Sequence, residues 1–168
     1  MIWQVVLIVS LILCACFGWV LIYGAPYLPT LKKQVEAAIE LAALNKGDTI
    51  IELGCGDGRV LIEAAKRGYQ SIGYELNPLL FLLAWIRTRK YNTMVRVIYG
   101  NFWKKDWPDA DAIYVFLLPR LMSKLDKKIA SENAAKGKVI SFAFKFPDRK
   151  PVAEKDGVFI YDLKKPVG

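Results

Sequence analysis

The sequence predicts an α/β protein, a doubly wound and mostly parallel sheet preceded by one N-terminal transmembrane helix. Three observations carry this prediction. Ile2 to Tyr23 is an apolar run interrupted only by Gln4, Ser10 and Gly18. Downstream, short β-branched runs alternate with helical segments, the order that builds a parallel sheet covered on both faces. One junction, Asp48-Thr49-Ile50-Ile51-Glu52-Leu53-Gly54-Cys55-Gly56-Asp57-Gly58-Arg59, reads as strand, glycine loop and helix start. That is how such sheets bring backbone against a nucleotide-like ligand.

The apolar run is long enough to span a bilayer, for which about 20 residues suffice. Trp3 at one end and Trp19 with Tyr23 at the other suit interfacial anchoring. A cleaved signal peptide needs a positive segment ahead of the run, and none is present. Leu13-Cys14-Ala15-Cys16 faintly resembles a lipoprotein cleavage box, but export would part the domain from a cytosolic nucleoside ligand. The first basic residues, Lys32 and Lys33, follow the run and predict the remainder on the cytoplasmic side. Residues 1–24 are thus read as the anchor and residues 25–168 as the domain.

Pro26 and Pro29 keep the linker extended, and Thr30 is a candidate N-cap for a helix burying Val35, Ala38, Ile39 and Ala42 beside Leu31. Thr49–Ile51 reads as the first strand. Val60–Arg67 is the next helix, ended by Gly68. Ser71–Tyr74 is a strand closed by Glu75, and Asn77-Pro78 reads as N-cap and first helical residue of a further helix. The body of that helix, Leu79–Ile86, is apolar nearly all round, so it is either deeply buried or in contact with membrane. Val95–Gly100 and Ala112–Leu117 follow as strands, and Leu121, Leu125 and Ile129 mark a helix with Lys124, Lys127 and Lys128 on its wet side. Lys138–Phe144 and Val158–Leu163 complete six strands. Lys145 to Gly157 leaves little room for another, which predicts a trimmed C-terminal edge.

The chain has 168 residues, 54% of them hydrophobic, yet a net charge of +8. No charged side chain occurs from Met1 to Leu31, so the whole excess belongs to the remainder. Such a domain favours anionic surfaces, phospholipid headgroups or nucleic acid, or simply carries a solvated basic face. Three cysteines, two of them in the apolar run, build no disulfide framework. The absence of histidine removes the commonest zinc ligand and the commonest general base, and no metal site is expected.

The glycine spacing selects the ligand. A dinucleotide fingerprint keeps its last position small, and here that position is Arg59. The pattern is instead acid-x-G-x-G-x-G, from Glu52 through Gly54, Gly56 and Gly58, with a second acid, Glu75, ending the next strand. An acid there accepts both hydroxyls of a ribose. This pairing resembles motif I and the following acidic motif of class I S-adenosylmethionine-dependent methyltransferases, a Rossmann-like fold.

Pro26-Tyr27-Leu28-Pro29-Thr30, Gly73-Tyr74-Glu75-Leu76-Asn77-Pro78 and Asn101-Phe102-Trp103-Lys104 narrow the resemblance. Together they are similar to the membrane-anchored protein-lysine methyltransferases of mitochondria, which act on the ATP synthase c-subunit and the adenine nucleotide translocase, and to their prokaryotic relatives. The resemblance implies S-adenosylmethionine as cofactor, held by Glu52, Gly54, Gly56, Asp57, Gly58, Glu75, Leu76, Asn77, Asn101 and Phe102. Glu52 would orient the loop and the amino end of methionine, Glu75 the ribose, Leu76 and Phe102 the faces of adenine. Asn101 stands where relatives often have Asp. On the acceptor side the resemblance implies Tyr27, Thr30, Trp103, Leu118 and Pro119, the aromatics offering cation–π contact to an ammonium. The implied partners are a membrane and a lysine-bearing membrane protein, with no nucleic acid. Methylation of a lipid or small amphiphile, and cofactor binding without turnover, are the alternative readings.

Overall fold

A computed structural model describes residues 1–23, 30–132 and 135–163. The elements run α1 (Ile2–Tyr23), α2 (Lys32–Ala42), β1 (Thr49–Leu53), α3 (Arg59–Lys66), β2 (Gln70–Glu75), α4 (Pro78–Thr88), β3 (Val95–Tyr99), β4 (Ala110–Val115), α5 (Pro119–Glu132), β5 (Ala135–Phe142), β6 (Ala153–Lys155) and β7 (Val158–Asp162). Short 3₁₀ turns occupy Arg89–Tyr91 and Phe102–Lys104.

The strands form one sheet in the order β3-β2-β1-β4-β5-β7-β6. β1 pairs in parallel with β2 on one side and β4 on the other, so the winding reverses at β1. β7 enters antiparallel between β5 and β6. Successive strand residues serve opposite faces because side chains alternate across a pleat. Ile50, Ala112, Tyr114, Ile140 and Ile160 meet α2 and α3, whereas Ile51, Ile113, Val115, Val139 and Tyr161 meet α5. Both faces are apolar and both are covered. The architecture is the Rossmann-like α/β fold expected from the sequence.

Three departures from expectation have physical causes. The C-terminal edge is complete, because β6 needs only three residues. Asp156 and Gly157, with φ of 50° and 76°, turn the chain tightly from β6 into β7, as a two-residue hairpin requires. Thr30 does not cap α2. Leu31 holds the N-cap position without a side-chain bond, and Thr30 points inward, its hydroxyl 3.3 Å from that of Tyr114. Lys128 is not on the wet side of α5, since its ammonium lies over the Trp107 ring at 4.8 Å and pairs with Glu132.

Two helix ends form as the sequence predicts. Gly68, at φ 87°, closes α3 with Gly68 N–H donating to Ala65 O and Tyr69 N–H to Ala64 O, a Schellman motif. Asn77 Oδ1 accepts from the N–H groups of Leu79 and Leu80, and Pro78 opens α4. The outward side of α4 is exposed, not deeply buried: Leu80, Ala84 and Thr88 pack inward, while Leu82, Leu83, Trp85 and Ile86 face out.

α1 is a 22-residue helix whose apolar side chains from Met1 to Leu11 are largely exposed. Side chains at 12, 13, 15–17 and 19–23 lie outside the described residues. Among the described residues alone, no helix is long and apolar enough to cross a membrane. The linker, with Tyr27, also lies outside them.

Gly73 is fixed by packing. A Cβ there would stand 2.6 Å from Leu61 Cδ1 and 2.8 Å from Cys55 Cβ and Sγ. Gly73→Ala is therefore expected to cost about 1–3 kcal/mol of stability, read as a lowered midpoint in urea with an unchanged slope.

Candidate functional site

The site is built at the carboxyl ends of β1 and β2, beside the point where the sheet reverses, which is where open α/β sheets receive ligands. β1 delivers Glu52 and then turns through Gly54, Gly56 and Gly58, at φ of 89°, 54° and 78°. Those left-handed values favour residues without a Cβ. The Gly54 and Cys55 N–H groups donate to Tyr74 O at 3.0 and 2.8 Å, which pins the loop to the end of β2. Gly58 also leaves room for α4, since a Cβ there would lie 3.2 Å from Thr88 Cγ2 and 3.3 Å from Ala84 Cβ.

Glu75 ties these parts together. Its Oε2 accepts from Gly56 N–H and its Oε1 from Asn77 N–H, both at 2.8 Å. Burial raises the pKa of its carboxyl, against the lowering effect of the N–H donors around it. With the N–H groups of Gly56, Leu76 and Asn77 around it, the carboxylate still has lone-pair capacity to spare. Asn77 is fully buried as the cap of α4, so its part in the site is to fix the turn after Glu75. Leu76 between them is half-buried.

Glu52 is 5% exposed, and its Oε2 has no hydrogen-bond partner. Burial, and then the negative charges of Asp57 and Glu75, hold its carboxyl well above the ordinary range, although Arg59 pulls the other way. Asp57 has the opposite fate. Burial disfavours its charge, but hydrogen bonds and charge from Arg59 and Arg87 outweigh that and hold it below the ordinary range. Arg59 Nε and Nη2 donate to its two oxygens at 2.9 Å each, and Arg87 Nη1 also donates to it. Arg59 Nη1 reaches on to the Thr30 carbonyl at 2.7 Å. The Asp57 carboxylate is thus engaged by arginines, and its contribution is to brace the loop. Cys55, inside the loop, is a buried thiol with a pKa raised by burial and by Glu52 and Glu75.

Asn101 follows β3 and caps the next turn, its Oδ1 accepting from Trp103 N–H at 3.0 Å. Half-buried Phe102 lies 4.7 Å from the Trp103 ring, and its carbonyl accepts from Trp107 Nε1. Both Phe102 and Trp103 pack on the core under α5. Lys124 sits over the Trp103 ring at 4.4 Å, so that indole already receives an ammonium. Leu118 O accepts from Leu121 N–H, and Pro119, exposed, starts α5. Thr30 is 6% exposed, and its hydroxyl lies against that of Tyr114. Arg87 and Thr88 belong to the site's frame although no sequence signal pointed to them. Arg59 was notable in the sequence only for its size.

The donor set fits S-adenosylmethionine better than a dinucleotide. Glu52 Oε2, buried and without a hydrogen-bond partner among the described residues, suits an ammonium, and Arg59 stands where a dinucleotide loop keeps a small residue. Among the described residues no cluster of potential metal ligands occurs.

Residues 52–153 match the family described as ANTKMT methyltransferase domain. The chain belongs to that family. It is 33% identical over 146 residues to the ATP synthase c-subunit lysine N-methyltransferase of Xenopus laevis, covering 82% of this chain and 63% of the relative. It is 32% identical over 130 residues to the protein-lysine N-methyltransferase of Saccharolobus islandicus, covering 75% of this chain and 81% of the relative. Against the vertebrate enzymes of the ATP synthase type it spans roughly half to two-thirds of their length. A solved RNA methyltransferase of Salinibacter ruber, in complex with S-adenosyl-L-homocysteine, superposes with a TM-score of 0.72 at 27% identity, over 80% of this chain and 91% of that one.

Unfolded, a glutamate ionises near about 4.3, whereas folded Glu52 keeps its proton to higher pH. The folded state then binds more protons in that window, so stability falls as pH rises through it and levels off above the folded pKa. Glu52→Gln is expected to remove this fall and to stabilise the ligand-free protein at neutral pH on the order of 1 kcal/mol, measured by thermal melts across pH. Calorimetric titration with S-adenosylhomocysteine should show Glu75→Ala weakening binding more than Asn101→Ala. The acid offers charge-assisted bonds of about 1.5–3 kcal/mol each and the amide one neutral bond of about 1 kcal/mol.

Proposed function

We propose that this chain is an S-adenosylmethionine-dependent N-methyltransferase of protein lysines, held at a membrane by α1 with its domain on the cytoplasmic face. The observation that carries the cofactor assignment is the pair of buried carboxylates, Glu52 and Glu75, bracketing a glycine turn in a chain of net charge +8. Membership of the family supports the reaction. The names of the relatives, which include the adenine nucleotide translocase lysine N-methyltransferase of Mus musculus, support lysine as acceptor.

When bound, the cofactor supplies a methyl group already activated on a sulfonium. The chain's part is to position and to exclude water, and alignment of this kind is worth roughly 7–11 kcal/mol. Glu75 holds the ribose, Glu52 the methionyl ammonium, and the glycine turn allows close approach. An incoming lysine must arrive neutral. The chain has no histidine to take its proton, so the proton leaves to water, and a carbonyl near Leu118-Pro119 accepts a hydrogen bond from the amine. The basic domain favours the neutral amine as the acceptor approaches.

The anchor reading rests on the length and composition of α1 and on Lys32 and Lys33 just after it. The +8 charge and the Salinibacter ruber RNA methyltransferase likeness make RNA the rival acceptor to test. The full-length chain and a form lacking residues 1–24 are to be incubated with radiolabelled cofactor and separate membrane-protein, lipid and RNA fractions. Label is expected on lysines of a membrane protein, more slowly with the shortened form, because anchoring raises local concentration. Label confined to lipid or RNA would sink the protein-lysine reading. Intact S-adenosylhomocysteine binding without label in any fraction would favour a non-catalytic cofactor-binding protein.

A further inference from the structure

α4 is apolar on the side that the fold leaves open. Leu79, Leu82, Leu83 and Ile86 recur at helical spacing on one outward stripe, with Leu82 50%, Ile86 53% and neighbouring Trp85 47% exposed. Phe81 extends this surface to Tyr99 at the end of β3, ring centroids 5.5 Å apart. Contiguous exposed apolar surface of this kind marks an interaction site.

Charge indicates the partner. From Leu76 to Lys105 the sequence contains no acidic residue but carries Arg87, Arg89, Lys90, Arg96, Lys104 and Lys105. Arg89 lies over the Trp85 ring at 5.2 Å, a pairing of aromatic and basic groups suited to the headgroup zone. Asp57 pairs with Arg87, but Arg89 and Lys90, beside the apolar stripe, are exposed cations, and exposed cations next to apolar side chains suit an anionic lipid surface.

Position agrees. Thr30, the first described residue after the anchor, has its carbonyl held by Arg59, which grips Asp57, which is also held by Arg87 of α4. The basic end of α4 thus lies beside the point where the chain arrives from α1. Seven covalent steps separate Tyr23 from Thr30, so that point stays within about 27 Å of the end of α1.

We propose that the outer face of α4 is a second membrane contact, docking on an anionic phospholipid surface with Leu82, Leu83, Trp85 and Ile86 in the interface and Arg89 and Lys90 at the headgroups. The inference rests on the membrane reading of α1. It adds orientation: the inner face of the same helix packs on Gly58, so docking sets the cofactor loop at a fixed height above the lipid.

The test uses the full chain with Cys14→Ser and Cys16→Ser, and Leu82→Cys carrying an environment-sensitive fluorophore; Ile86→Cys serves as a second position and Lys127→Cys, on the far side in α5, as control. Each form must still bind S-adenosylhomocysteine. Vesicles of phosphatidylcholine with phosphatidylglycerol, bearing spin-labelled acyl chains, are expected to shift the two α4 labels to the blue and quench them several-fold more than the α5 control label. Pure phosphatidylcholine or high salt should weaken the effect. A protein that floats with the vesicles while its α4 labels stay wet overturns this inference and leaves the anchor standing. One that remains in the soluble fraction overturns both. Labels already shielded before vesicles are added assign the face to α1 or a second copy, and shielding that requires a protein acceptor assigns it to that acceptor; either result overturns the lipid contact.

Discussion

Glu75 presents one carboxylate oxygen to Gly56 N–H and the other to Asn77 N–H, and through those two bonds three elements share one geometry. The glycine loop is held to the end of β2, and the turn into α4 is held to the loop. α4 in turn seats Ala84 and Thr88 against Gly58, so the loop is enclosed from below as well. Loss of the acid therefore frees two buried N–H donors besides removing a ligand contact, and buried donors without partners cost about 1–3 kcal/mol each. The carboxylate is thus a fastening first, and the two N–H bonds hold an ionisable residue in a poorly solvated place.

The other two acids around the loop show how a basic chain distributes its compensation. Asp57 is given two arginines, and the resulting clamp reaches Thr30 and α4. Among the described residues Glu52 has no ion-pair partner, and its Oε2 has no hydrogen-bond partner. Arginine is plentiful enough to have covered both, so the asymmetry is informative. A group left destabilised in the fold is one whose partner arrives from outside. The clamp at Asp57 fixes the wall, and the acid beside it keeps one buried oxygen without a hydrogen-bond partner among the described residues.

Much of the fold was legible in the sequence because the signals were local. Strand alternation at Ile50-Ile51 and Ile113-Tyr114, the Asn77-Pro78 cap and Gly68 as helix terminator each depend on neighbours in the chain. What escaped reading depends on distant partners. Thr30 has the composition of an N-cap but is drawn inward by Tyr114 and Arg59, far from it in sequence. Lys128 occupies a solvent position by spacing but finds Trp107 and Glu132 in reach. β6 is too short for any periodicity to register, and only the turn at Asp156-Gly157 with pairing to β7 makes it a strand. In the site, the acids and glycines were readable as a pattern. The Arg59 and Arg87 clamp was not, since the two arginines are 28 positions apart and meet at Asp57.

α4 illustrates a limit of hydrophobicity as a signal. Apolar composition on every side of a helix is consistent with deep burial and with lipid contact alike, because both remove the same side chains from water. The two are separated by what surrounds the apolar residues. A deeply buried helix would have a second packed layer outside it, whereas here Leu82, Leu83 and Ile86 face outward, with Arg89 and Lys90 exposed just beyond them. Were the stripe merely a tolerated irregularity, nothing would require its basic end to adjoin the chain segment arriving from α1. The Arg87–Asp57–Arg59–Thr30 chain makes that adjacency structural. The same contacts that brace the cofactor loop thus also bring the apolar helix and the end of the linker to one side of the molecule.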